Sequence, residues 1–150
     1  MSAEVCEKVN MQYKRYENKI ALRLDPGDEV CENIRTVAVI ENIRAGVVSG
    51  IGGADRIVVG VFDAEKKAYD EFEYTGTHEI TSLVGNITYM DDEPLVHLHI
   101  TAAGEGAKLI GGHLLAAYIS LTGEIFIDVL DGEIGKTRNE ELGIKEMRFV

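Results

Sequence analysis

The sequence predicts one α+β domain: a mostly antiparallel, multi-stranded sheet with one main helix packed on it. Three observations carry that reading. A single early stretch places Val30, Ile34, Val37 and Ala38 at helical spacing. Short apolar or alternating runs fill most of the remaining chain. The length of 150 residues, without a linker or internal repeat to divide it, suits one domain over 1–150, with its core at about 11–131 and a tail from 132 to 150.

Residues 11–24 predict one or two strands, because Ile20, Leu22 and Leu24 alternate with Ala21 and Arg23. Asp25-Pro26-Gly27-Asp28 then breaks the pattern. Asp28 is placed to cap a helix over 28–44, and Glu29 and Glu32 favour the positive end of its dipole. Arg44 and Gly46 mark its end. Strands follow at Gly46–Gly53, Arg56–Phe62, Tyr69–Tyr74, Ile80–Met90, Leu95–Ala102, Ala107–Leu115 and Tyr118–Leu130. Lys66-Lys67 and Asp91-Asp92-Glu93-Pro94 read as turns. The charged stretch Gly132–Gly143 reads as irregular, and 145–150 as a last short strand.

The chain carries 15 basic and 26 acidic residues, a net charge of −11. Residues 1–24 hold a net +2, leaving −13 on the remainder. A protein that grips duplex DNA by itself carries a basic face or arm, and none is written here, so direct nucleic-acid contact is not expected. No apolar run approaches the ~18 residues of a membrane-spanning helix. The polar, acidic start of the chain does not resemble a signal peptide. A cytoplasmic location is the resulting expectation. Cys6 and Cys31 form no CxxC pair and read as buried or half-buried free thiols.

The informative segment is Leu95-Val96-His97-Leu98-His99-Ile100. On a strand, Val96, Leu98 and Ile100 face one way, while His97 and His99 face the other, about 6.5–7 Å apart. Imidazoles at that spacing can converge on one metal ion, and three histidines would leave one position of a zinc ion open. His113, in Gly111-Gly112-His113, lies on the next predicted strand beyond a short turn at Gly104-Glu105-Gly106. A three-histidine site forms if His113 falls opposite His97 or His99, a register the sequence leaves open. The paired glycines give the backbone room to bend toward a site and would equally suit a bulge. His78 and its neighbour Glu79 are candidates for an accessory ligand, an acid or base, or an ordinary strand start. Ser49-Gly50-Ile51-Gly52-Gly53 has neither dinucleotide-fingerprint spacing nor the lysine and hydroxyl of a phosphate loop.

Taken in order, several segments resemble the plants-and-prokaryotes-conserved (PPC) domain. They are Arg23–Val30 and Gly46–Gly52, then Gly76-Thr77-His78-Glu79-Ile80-Thr81-Ser82-Leu83 with the residues up to Ile87, then His97–Ile100 and Ile110–Leu114. The likeness spans 11–131. It implies a sheet with a packed helix, assembly as a homotrimer, and, in free-standing prokaryotic members, a metal site at the histidines matching His97, His99 and His113, with zinc the expected metal. In plant relatives the domain is joined to an AT-hook. This chain has no Arg-Gly-Arg core, and Thr77-His78 stand where the plant segment has Arg-Phe. The leading expectation is a metal-binding trimer without an assigned cellular role. The alternatives are a metal-dependent enzyme acting on a small molecule, and a DNA-associated regulator by analogy with the plant proteins.

Overall fold

A computed structural model describes residues 12–149; Glu4, Cys6, Glu7, Lys8 and Val150 lie outside them. The elements run β1 (Gln12–Tyr16), β2 (Lys19–Leu24), α1 (Val30–Ile40), β3 (Gly46–Asp63), β4 (Ala68–Met90), β5 (Glu93–Ala103), β6 (Leu109–Val129), β7 (Ile134–Asn139) and β8 (Ile144–Phe149), with a 3₁₀ turn at Glu105–Ala107. Strands pair in the order β1-β2-β6-β3-β4-β7-β8, and β5 pairs with both β4 and β6. Because β3 also pairs with both β4 and β6, these four long strands close a ring. Ring closure satisfies backbone groups that an open edge would leave exposed. All pairings are antiparallel except one parallel bridge, Tyr89 with Gly135, so the sheet is mixed.

The core follows from alternation. Ile20, Leu22 and Leu24 of β2, Val48 and Ile57 of β3, Leu83 and Ile87 of β4, Leu98 and Ile100 of β5, and Ile125 and Ile127 of β6 are all buried. The helix adds Val30, Ile34, Val37 and Ala38, packing on β5 and β6. The expected inward face of β5 is thus observed.

Three local expectations change. Glu29, not Asp28, caps the helix: its carboxylate accepts from the backbone N–H of Cys31 (3.1 Å) and Glu32 (2.7 Å). It also accepts from Ala117 N–H of β6 at 3.0 Å, which ties the helix start to the sheet. The Asp28 carboxylate instead closes the preceding turn, accepting from Asp25 N–H at 2.8 Å. The helix stops at Ile40, because Asn42 turns left-handed (φ 50°) and Ile43 N–H bonds Ala38 O at 2.8 Å. Second, six expected strands fuse into the long β3, β4 and β6. The irregularities between Gly50 and Gly52 and between Ala54 and Arg56 are shifts of register within β3, not chain breaks.

The third change concerns the charged stretch 132–143, which is not irregular. It holds β7, paired with β8 from Ile134–Phe149 to Asn139–Ile144. Arg44 fastens this hairpin. Its backbone oxygen accepts from Ile134 N–H (3.2 Å), and its guanidinium donates to Glu133 (2.6 Å) and lies 4.0 Å over the Tyr89 ring.

Gly85 shows how closely β4 and β5 approach. A Cβ there would lie 1.9 Å from the His97 carbonyl oxygen, a backbone atom that cannot rotate away. Gly85→Ala should therefore destabilise the fold by about 2–3 kcal/mol, on the scale of an overpacked core site. The check is a lowered urea midpoint at unchanged slope; a midpoint equal to the parent's would refute the steric account.

Candidate metal centre

β5 and β6 place the three histidines. Register pairs His99 with His113 directly, and His97 sits two residues from His99 on the same outward face. The sequence left that register open, and closure of the ring decides it. Gly112 permits it: a Cβ there would lie 2.9 Å from Gly60 O on β3, so a side chain would push β6 off its neighbour. Just beyond, Leu115 is skipped where Val58 pairs with Ala116 and Val59 with Leu114, a bulge that re-aims the strand.

Ring centroids lie 5.2 Å apart for His97–His99, 5.1 Å for His97–His113 and 5.5 Å for His99–His113. One nitrogen from each falls within 4.8 Å of the others. Two nitrogens on one tetrahedral zinc are about 3.3 Å apart, from Zn–N bonds of ~2.05 Å. Small imidazole rotations span the difference. Burial leaves His113 Nδ1 without a hydrogen-bond partner, a cost that a ligand at that atom would remove. The donor set fits a divalent metal of zinc type.

The cluster forms one wall of a cavity of about 480 Å³. Leu95, Val96 and Tyr69 line it from the sheet, and Lys136, Arg138, Ile144 and Lys145 line it from the β7–β8 hairpin. Tyr69 stacks on His113, with centroids 4.6 Å apart and planes at 26°. Burial, then the neighbouring His113, Lys136 and His99, pushes the His97 imidazole down to about 4. His113 is likewise lowered, by burial and then His99. Both are thereby kept neutral near pH 7, the form that ligates metal. Lys136 is lowered by burial and then by Lys145, its diagonal neighbour across the hairpin.

His78 and Glu79 are not brought to this cluster. His78 pairs with Ala54 and His113 with Gly60, six residues further along β3, or about 20 Å at the strand rise. His78 is buried, bonded through Nδ1 to Gly76 O at 2.7 Å, with its ring against Gly104. Glu79 is exposed. The Cys31 thiol is pushed up to about 12, mainly by burial and then by Glu29, and is not a nucleophile at neutral pH. Tyr69, Lys136, Arg138 and Lys145 were not singled out from sequence. Strand alternation could have put Lys136 and Arg138 on one face, but only had 132–143 been read as a strand.

The family model of the Plants and Prokaryotes Conserved (PCC) domain matches residues 11–131. The chain belongs to this family. The structure of this PCC-domain chain is similar to several solved ones. A Bacteroides thetaiotaomicron protein described as a "putative dna binding protein" is 29% identical, with TM-score 0.90 over 93% of this chain and 97% of that one. A metal-containing protein from Archaeoglobus fulgidus is 31% identical, with TM-score 0.80 over 89% and 94%. A plant- and prokaryote-conserved protein from Pyrococcus horikoshii is 27% identical, with TM-score 0.79 over 93% and 96%. No curated protein matches the chain.

The lowered His97 and His113 set a pH dependence for the metal-free PCC domain. Above about 6.5 these imidazoles are neutral whether the chain is folded or not, and the folded state bears no protonation penalty. As pH falls from there toward about 4, the unfolded chain takes up protons that the folded chain refuses, so stability falls. Urea midpoints of metal-free protein should drop through that window, and less steeply in His97→Ala. Equal slopes in the two proteins would show that His97 is not held neutral.

Proposed function

We propose that the protein binds one divalent metal ion, zinc, through His97, His99 and His113, and works as a homotrimer. The observation that carries this reading is the convergence of three imidazole nitrogens within 4.8 Å. The unpartnered Nδ1 of His113 and the similarity to a metal-containing archaeal protein support it. Bound in this way, zinc would keep one position open and act there as a Lewis acid. Binding is favoured over catalysis because the accessory acid or base expected from sequence, His78 or Glu79, lies far along the strands from the cluster.

Trimeric assembly is supported by the family resemblance and by an apolar strip on the same outward face. Val84 of β4 and Phe126 of β6 both pair with Ser49 of β3, and Val84 pairs with His99. Val47, Ile51, Val84 and Phe126 are each about half exposed, at 47, 56, 50 and 56%. Apolar groups clustered in this way mark a contact surface. Among the described residues no helix is long and apolar enough to cross a membrane.

The DNA-binding description of the Bacteroides protein is the ground for a competing reading. Against it stands the net charge of −11. In addition Arg15, Lys19, Arg23, Arg35, Arg44, Arg56 and Lys66 are already paired with carboxylates.

Elemental analysis of untagged protein should find about one zinc per chain, and none in the His97→Ala/His99→Ala/His113→Ala variant. Metal-free parent protein after zinc addition and removal of excess would sink the proposal. Light scattering should give a mass three times the 16.5 kDa chain, falling to one chain in Phe126→Glu. A monomeric parent would overturn the assembly. A labelled duplex should stay unshifted at ~0.15 M salt; saturable binding with a steep salt slope would restore the DNA reading.

A further inference from the structure

We infer that the cavity over the three histidines receives a small organic anion, its oxyanion head held by Lys136, Arg138 and Lys145 and its body against Leu95 and Ile144. The inference rests on the metal reading above for the chemistry of the cavity floor, but the cationic wall stands on separate observations. Although the chain holds 26 acidic and 15 basic residues, no carboxylate lines this cavity, while two lysines and an arginine do. That reversal of sign is built by strand geometry. Lys136 and Arg138 are two apart on β7, and Lys145 pairs with Arg138 across the hairpin, so all three share one face.

Elsewhere the described cations are mostly neutralised by carboxylates, but the ammonium groups of Lys136 and Lys145 make no ion pair or hydrogen bond among the described residues. Arg138 alone of the three has a partner, Glu140 at 3.0 Å. Lys136 is half-buried, so its ammonium group has lost part of its hydration without gaining a counter-charge. Holding like charges together in a partly dry site is unfavourable, and an oxyanion between them would relieve it. The volume of about 480 Å³ lies in the range of small-molecule sites. The acidic remainder of the surface repels a long polyanion, whereas a small anion inside the cavity meets the local positive field. Carboxylate and phosphate heads share the required chemistry.

Isothermal titration of the full chain, zinc-loaded and metal-free, with benzoate and with inorganic phosphate tests the inference. At least one probe should saturate the zinc-loaded protein, more weakly at high salt. Affinity should fall about tenfold or more in Lys136→Gln/Lys145→Gln, from the loss of charge-assisted hydrogen bonds, with zinc per chain unchanged. Lys108→Gln, which removes the same charge at the β5–β6 turn, should bind as the parent does. Benzoate alone saturating identifies a carboxylate with an apolar body; phosphate alone identifies a phosphate head. If neither probe saturates zinc-loaded protein, or the double variant binds as tightly as the parent, the inference is overturned while the metal site stands. If the parent holds no zinc, the metal reading fails separately, and saturation of metal-free protein that the double variant abolishes still upholds the anion site.

Discussion

The pairing of β5 with both β4 and β6 is the constraint on which the rest of the molecule depends. It closes β3, β4, β5 and β6 into a ring, so their backbone groups bond to each other rather than wait at an edge. It also fixes every side chain's direction, since a slip of one residue would exchange the two faces of a strand. Leu98 and Ile100 are therefore buried and His97 and His99 turned outward by one decision. The same closure sets His99 against His113. The cost of the tight ring is borne by glycines such as Gly85, where two backbones approach too closely for a side chain.

Around that ring the molecule separates two electrostatic environments. Its outer surface is acidic, with exposed ion pairs that each contribute little to stability. The cavity over β5 and β6 is neutral to positive: burial keeps His97 and His113 uncharged, and the lysines of the C-terminal hairpin add the positive charge. Neutral imidazoles near a wall whose two lysines lack a counter-charge would suit a metal with an anionic companion better than a bare metal, because the companion would offset both charges. The hairpin that supplies the wall is held by Arg44, through Glu133, Tyr89 and the backbone of Ile134. An arginine far from the cavity in sequence thus positions the residues that give it its sign.

Membership in the PCC-domain family and the similarity to prokaryotic structures place this chain among proteins described in two different ways, as DNA-binding and as metal-containing. The side chains of this chain bear on the choice more directly than the fold does, since one fold hosts several functions. Its histidines converge, while its arginines are mostly spent on intramolecular carboxylates.

Much was legible in the sequence because it depended on local periodicity. The helix is visible in the spacing of Val30, Ile34 and Val37, and the two faces of β5 in the alternation from Val96 to Ile100, since each period is set by the geometry of its own element. The family was legible from ordered segments for the same reason. The capping residue was misplaced by one position, because Glu29 is chosen by a bond to Ala117, 88 residues away. Of the C-terminal hairpin, the last strand was legible and β7 was not, because the charged stretch 132–143 reads as irregular until Arg44 and the edge of β4 give it something to pair with. By itself the sequence determined that His97 and His99 share a face. Only the tertiary structure decided that His113 faces His99 and that Tyr69, Lys136 and Lys145 surround them, because these residues meet through strand register and ring closure, which no local pattern encodes.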